Sequence, residues 1–103
     1  QPNFNIISRD HPEFDTLSNY PVKTATFSYG HDRSADLSIN RFKLYKKGTE
    51  ANLRYGNENF DVATYETGEE SVNYMAAAAL GALALGANFD EITDGIANFE
   101  RKN

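Results

Sequence analysis

The stretch TGEESVNYMAAAALGALALG, residues 67–86, decides how this chain folds. Its apolar side chains recur three and four residues apart, which is the spacing of one face of an α-helix. Thr67 and Glu70 have the spacing of a capping box, and Gly86 can take the left-handed conformation that ends a helix. We therefore predict a helix over 67–86 whose apolar face consists of Val72, Met75, Ala76, Ala79, Leu80 and Leu83.

A second, shorter helix is predicted directly after the first. Asn88 and Glu91 repeat the capping spacing, so that each side chain can accept a hydrogen bond from the backbone of the other. Ile92, Ile96 and Phe99 follow at helical spacing and predict one apolar face.

Before residue 67 the pattern changes to that of β-strands. Phe4 to Ser8 is a short apolar run, and Val22 to Tyr29 is rich in β-branched and aromatic residues up to Gly30. Both runs predict strands. Residues 13 to 21 mix loop formers with a few apolar residues and indicate a loop with one helical turn.

Residues 37 to 65 alternate apolar and polar side chains, which predicts a three-stranded antiparallel meander. Leu37 and Ile39 share one parity and Phe42 and Leu44 the other, so a β-bulge at Asn40-Arg41 is needed to keep all four on one face. The expected turns are Lys46-Lys47-Gly48 and Gly56-Asn57-Glu58-Asn59, with strands at Ala51–Tyr55 and Phe60–Tyr65. The sequence thus predicts an α/β chain in which short core strands and the meander precede two helices.

Composition limits the functions that this chain can have. It has 103 residues, a formal charge of −5 and a pI near 4.9, which disfavour a nucleic-acid or anionic-membrane surface. The one basic run, Arg41 to Lys47, is interpreted as a solvated strand and turn. The absence of cysteine excludes disulfides and thiolate metal sites, and no apolar stretch is long enough for a membrane span. We expect a soluble chain whose start at Gln1, without a leader, is a boundary inside a longer protein.

The motifs of independent catalysis are missing from the sequence. His11 and His31 each stand beside an Asp in a predicted loop, but without a third ligand they favour ordinary loop histidines over a metal site. No Gly-x-Ser-x-Gly turn and no phosphate-binding Gly-Lys-Ser/Thr loop occurs. Asn73, before the alanine run, has an amide that suits the edge of a purine, although an exposed helix asparagine has the same pattern.

The order of these features resembles the later part of the central domain of the Mur ligases, which build the peptide stem of peptidoglycan and are related to folylpolyglutamate synthetase. The resemblance runs from about residue 5 to residue 99. It rests on a strand that ends near Asp10, on the sequence Thr-Phe-Ser-Tyr-Gly30 followed by Ala35-Asp36, on the meander, and on Asn73-Tyr-Met-Ala-Ala with Leu80-Gly81. It implies that residues 1–103 are a single partial domain, with the phosphate loop and the C-terminal domain elsewhere in the parent protein.

The resemblance also implies a function. The parent would be a cytoplasmic ligase of cell-wall synthesis that uses ATP and Mg²⁺ to join an amino acid to a UDP-N-acetylmuramoyl-peptide, and this part alone would be inactive. Asn73 matches the family's adenine-facing asparagine, and Asp10 matches an Asp that ends a core strand; a loop-bracing role for Asp10 is the alternative. Glu69 and Glu70 stand where the family has His and Asn. The other function considered is a small stand-alone interaction domain that offers a strand edge to a partner. Exposed strand edges of the partial domain can also pair between isolated copies and give a non-physiological dimer.

Overall fold

A computed structural model describes residues 4–10, 12 and 25–98 of the chain. Five strands form one sheet in sequence order, and two helices follow them. The strands are β1 (Phe4–Ser8), β2 (Ala25–Gly30), β3 (Leu37–Tyr45), β4 (Gly48–Tyr55) and β5 (Glu58–Thr64), and the helices are α1 (Glu70–Ala84) and α2 (Phe89–Ala97). The predicted α/β class is confirmed.

The sheet is parallel on one side and antiparallel on the other. β1 pairs with β2 and β2 with β3 in parallel, whereas β3, β4 and β5 form the predicted antiparallel meander. The strand predicted at 22–29 is described from Ala25 onward and extends to Gly30. The loop predicted at 13–21 lies outside the described residues, as do Phe99 and the first three residues of that strand.

The predicted bulge in β3 is confirmed. The register of β3 on β4 shifts between Ile39 and Arg41, which leaves Asn40 without an opposite residue. Leu37 and Ile39 before the bulge and Phe42 and Leu44 after it therefore lie on one face of the sheet. The bulge corrects the change of parity that the sequence shows.

Both turns of the meander are tighter than predicted. Gly48 already pairs with Tyr45, and Glu58 already pairs with Tyr55, so each hairpin loop has two residues. At the second turn Gly56 takes φ +63°, a value that suits a two-residue hairpin. Glu58 and Asn59 consequently belong to β5, not to the turn.

The two helices pack on one face of the sheet and enclose the core. Helix α1 contacts all five strands, and α2 packs on β5 and on α1. The ring centroids of Phe60 and Phe89 lie 4.6 Å apart at this second contact. The largest fully buried hydrophobic side chains are Leu37, Leu53, Met75, Leu80, Val62 and Val72. No helix among the described residues is long and apolar enough to span a bilayer.

The capping box predicted at Thr67 and Glu70 is wrong. Helix α1 begins at Glu70, three residues later than predicted, and its N-cap Glu69 makes no side-chain cap hydrogen bond. Gly68 takes φ +93°, which interrupts the helical backbone that the box would need between its two members. Ser71 instead ties down the start of the helix, with its Oγ 2.6 Å from the carbonyl oxygen of Gly68.

The other predicted helix ends are confirmed. Gly86 takes φ +96°, and the N–H of Ala87 donates to the carbonyl of Ala82, as in a Schellman ending. At α2, Glu91 N–H donates to Asn88 Oδ1 at 2.8 Å, and Asn88 N–H donates to Glu91 Oε1 at 3.0 Å. This capping box fixes the start of α2.

Candidate functional site

The start of α1 lies at the carboxyl edge of the sheet, beside the end of β3, the last of the three parallel strands. Ser71 Oγ is 2.7 Å from Thr49 Oγ1, and Thr49 is opposite Leu44, near the end of β3. Further along the helix, a Cβ added to Gly81 would lie 3.3 Å from Ile6 Cδ1, in the middle of β1. The helix therefore runs from the carboxyl edge of the sheet back across it. Open α/β sheets bind ligands at this edge.

Asn73 stands in the first turn of α1 at this edge. Its side chain is exposed, while its neighbours Val72 and Met75 are fully buried. Within the described part of the chain, no hydrogen bond occupies the Asn73 amide. Both its N–H donors and its oxygen acceptor are therefore available, and an adenine edge presents the complementary acceptor and donor. The contact between Asn73 and adenine stays a prediction.

The surroundings of Asn73 suit a neutral base better than a phosphate. Glu69 and Glu70 are both exposed at the start of the same helix. Their charges interact favourably with the positive end of the helix dipole, but they repel a phosphate group brought to the same place. The charge at this helix start therefore disfavours a phosphate at this place.

His31 holds Asp10 at the carboxyl ends of β1 and β2, which are level with Ser38 of β3. The backbone N–H of His31 donates to Asp10 Oδ2 at 3.0 Å and Oδ1 at 3.2 Å, and His31 Nδ1 lies 2.9 Å from Oδ2. Burial raises the pKa of Asp10, but the hydrogen bonds from His31 outweigh it and hold that pKa below 3.8. Asp10 thus joins the ends of β1 and β2 as an ionised clamp.

Gly30 makes this clamp possible. It takes φ +150°, and a Cβ placed on it would lie 2.8 Å from Asp10 Oδ2. A real Cβ cannot occupy that position without displacing the carboxylate. The glycine that the sequence indicates as a strand end is therefore also the place where the Asp10 side chain crosses the backbone.

The loop after β2 is braced by two further carboxylates. Ser34 donates to Asp32 Oδ1 from its backbone N–H at 2.8 Å and from its hydroxyl at 2.7 Å, and these bonds lower the pKa of Asp32. Asp36 Oδ2 accepts from the N–H of Ser28 at 2.8 Å. Asp36 belongs to the Ala35-Asp36 pair on which the resemblance rests, and its hydrogen bond connects the start of β3 to β2.

The structure does not bring the two sequence-predicted site residues into contact. Asn73 follows Ser71 at the end of β3, level with Leu44, whereas Asp10 lies at the ends of β1 and β2, level with Ser38 of β3. No hydrogen bond joins Asn73 and Asp10 in the described region. His31, interpreted from the sequence as an ordinary loop histidine and not a metal ligand, is the residue that was missed there as a partner of Asp10. The available signal was that Asp10 and His31 follow two strands whose carboxyl ends can adjoin. His11 lies outside the described residues, and the rest contain no cluster of three possible metal ligands.

Sequence comparison finds no protein-family model and no curated protein that matches the chain. Structural comparison does find matches. MurF from Acinetobacter baumannii superposes with a TM-score of 0.86 at 18% identity, over 99% of this chain and 22% of that one. A UDP-N-acetylmuramoyl-L-alanyl-D-glutamate–2,6-diaminopimelate ligase gives 0.83 at 19% identity, over 98% and 22%. MurF from Thermotoga maritima in complex with ADP gives 0.73 at 18% identity, over 98% and 23%.

The chain therefore spans about a fifth of the length of these ligases. The superposition includes nearly all of this chain, so it extends to the parallel strands, the meander and both helices. The structural resemblance to Mur ligases that the sequence pattern predicts is confirmed. At this level of identity the likeness is one of fold, and this chain has the fold of a segment of a Mur ligase.

Proposed function

We propose that this chain is part of a Mur-type ligase and that it forms one wall of the adenine site. The observation that carries the proposal is Asn73: an exposed amide without a described partner, at the carboxyl edge of the sheet, on the helix that the resemblance associates with adenine. One of the solved neighbours, MurF from Thermotoga maritima, contains ADP. That neighbour supports nucleotide binding by this fold.

The proposed reaction of the parent enzyme joins an amino acid to a UDP-N-acetylmuramoyl-peptide in peptidoglycan synthesis, in the cytoplasm. ATP with Mg²⁺ would supply the phosphoryl group that activates the carboxylate. The contribution of this chain is to bind and orient the base through Asn73. Asp10 is proposed to position the ends of β1 and β2, because its carboxylate oxygens already accept hydrogen bonds from His31.

Substitution of Asn73 in the full-length ligase tests the adenine role. Asn73→Ala removes both hydrogen bonds to the base, and we expect the KM for ATP to rise about tenfold, the equivalent of about 1.4 kcal/mol. Asn57→Ala is the matched control, since Asn57 is an exposed asparagine in the β4–β5 turn. An unchanged KM for ATP in Asn73→Ala, or an equal rise in Asn57→Ala, would count against the adenine role.

The chain alone is proposed to be inactive, because one wall of a site cannot align two substrates. Isothermal titration calorimetry of the isolated chain with Mg-ATP should show no binding tighter than about 1 mM, which corresponds to roughly −4 kcal/mol. A micromolar site would refute the view that the phosphate-binding half lies elsewhere. The encoded sequence upstream offers an independent check, since it should contain a Gly-Lys-Ser/Thr loop.

A further inference from the structure

A cavity of about 480 Å³ lies at the end of β2, on the sheet face opposite the helices. Its position follows from strand alternation: Ser38 and Arg54 in the cavity wall are opposite each other, while Leu37, Ile39 and Leu53 beside them carry the buried face. The volume is within the range of small-molecule sites, roughly 300–1,000 Å³. The site is separate from Asn73, which does not line it.

The charge of this cavity is opposite to that of the chain. Its lining includes His31, Arg33, Arg41 and Arg54 and contains no carboxylate, although the whole chain has a formal charge of −5. In the described part of the chain, neither Arg33 nor Arg41 makes an ion pair or a side-chain hydrogen bond. Neighbouring guanidinium groups repel one another unless an anion lies between them. The cavity therefore concentrates cationic charge that this part of the protein leaves uncompensated.

The floor of the cavity is ordered by a network of amides. Asn40, the bulge residue, donates from Nδ2 to Asn52 Oδ1 and to Asn59 Oδ1, both at 2.8 Å. Asn52 in turn donates to Asp61 Oδ1 at 2.8 Å, so the nearby Asp61 carboxylate is already paired with the Asn52 amide. Arg54 Nε donates to the carbonyl of Gly56 at 3.0 Å, which holds its guanidinium in place. The bulge thus places Asn40 in the ordered polar floor of the cavity and also keeps the apolar side chains of β3 on one face of the sheet.

His31 forms one side of the cavity in a defined orientation. Its Nδ1 is directed to Asp10, at 2.9 Å from Oδ2, so Nε2 is the ring nitrogen left for a ligand. Its ring also packs edge-on against Phe42, with centroids 5.8 Å apart. When both ring nitrogens carry a hydrogen, Nδ1–H donates to Asp10 and Nε2–H can donate to an anion in the cavity.

We propose that this cavity binds a small oxyanion, a phosphate or carboxylate compound, with Arg41 and Arg33 as its principal contacts and His31 Nε2 as a third. Guanidinium groups bind both kinds of oxyanion through paired N–H donors. This site extends beyond the proposed adenine role, and neither depends on the other.

The test is an NMR titration of the 103-residue chain with two probes, pyrophosphate and citrate, against sodium chloride at matched ionic strength. The arginine Nε–Hε signals should shift saturably with at least one probe and not with chloride. A response to pyrophosphate alone identifies a phosphate ligand, and a response to citrate alone identifies a carboxylate ligand. Linear shifts with both probes, or equal shifts with chloride, would overturn the proposal.

Variants separate this site from general charge effects. Arg41→Gln and Arg33→Gln should each weaken binding about fivefold or more, as expected for a charged hydrogen bond. Lys46→Gln removes the same charge from the exposed β3–β4 turn and should change binding less than about twofold. An equal loss in Lys46→Gln would refute the site, and Arg33→Gln decides the matter if Arg41→Gln fails to fold. Asn73→Ala should leave pyrophosphate binding unchanged, so failure here is distinguishable from failure of the adenine role.

Discussion

Gly30→Ala tests the geometry that joins the two parallel strand ends. The added Cβ would lie 2.8 Å from Asp10 Oδ2, so the carboxylate must move away from His31. Backbone strain at φ +150° contributes about 1–3 kcal/mol. Weakening of the hydrogen bonds between Asp10 and His31 adds about 1 kcal/mol. We expect the free energy of unfolding to fall by about 2–4 kcal/mol.

The measurement is urea unfolding monitored by circular dichroism, arranged as a double-mutant cycle. Gly56→Ala is the first control, because Gly56 also has a positive φ but has no atom within 4 Å of an added Cβ; it should cost about 1–2 kcal/mol. Asp10→Ala removes the group that the Cβ would strike. In that background Gly30→Ala should become less costly by about 1 kcal/mol or more. A coupling energy near zero would show that contact with Asp10 does not determine the effect.

Three further perturbations test other features of the fold. Ser71→Ala should lower the free energy of unfolding by about 1–3 kcal/mol, because it removes the buried Oγ that lies 2.7 Å from Thr49 Oγ1 and 2.6 Å from the carbonyl oxygen of Gly68; an unchanged free energy of unfolding would show that these contacts do not stabilise the start of α1. The folded-state pKa of Asp10 is lowered, so Asp10 should stabilise the folded state above pH 3.8, and this stability should be lost as the pH falls through the folded-state pKa. In Asp10→Asn the free energy of unfolding should depend less steeply on pH in this range. An unchanged slope would contradict the stabilising contact between Asp10 and His31. Asn88→Ala should cost about 1 kcal/mol in thermal unfolding, and no change would mean that the capping box does not stabilise α2.

The features that the sequence predicted correctly are those with short-range causes. The apolar spacing of α1, the Schellman ending at Gly86 and the capping box at Asn88 each involve residues within a few positions of one another. The bulge at Asn40 was predictable for the same reason, because a change of parity within one strand is visible locally. Such local patterns form the same local structure in most tertiary environments.

The failed capping box shows the limit of local patterns. Thr67 and Glu70 have the right spacing, but the helix start is determined by Ser71 and its contact with Thr49, which is 22 residues away in the sequence. That contact exists only when β4 and α1 are packed together. Tertiary packing thus overrode a favourable local motif.

The candidate sites divide in the same way. The sequence alone singled out Asn73, because its place on a helix is a local property, and it predicted the collinear order of elements that the ligase fold shares. Only the tertiary structure paired Asp10 with His31 and gathered Arg33, Arg41 and Arg54 around one cavity. These groups come from separate strands and loops, and their approach depends on sheet order and register. The sequence determines the charge and chemistry of each side chain, and the tertiary structure determines which side chains lie close together.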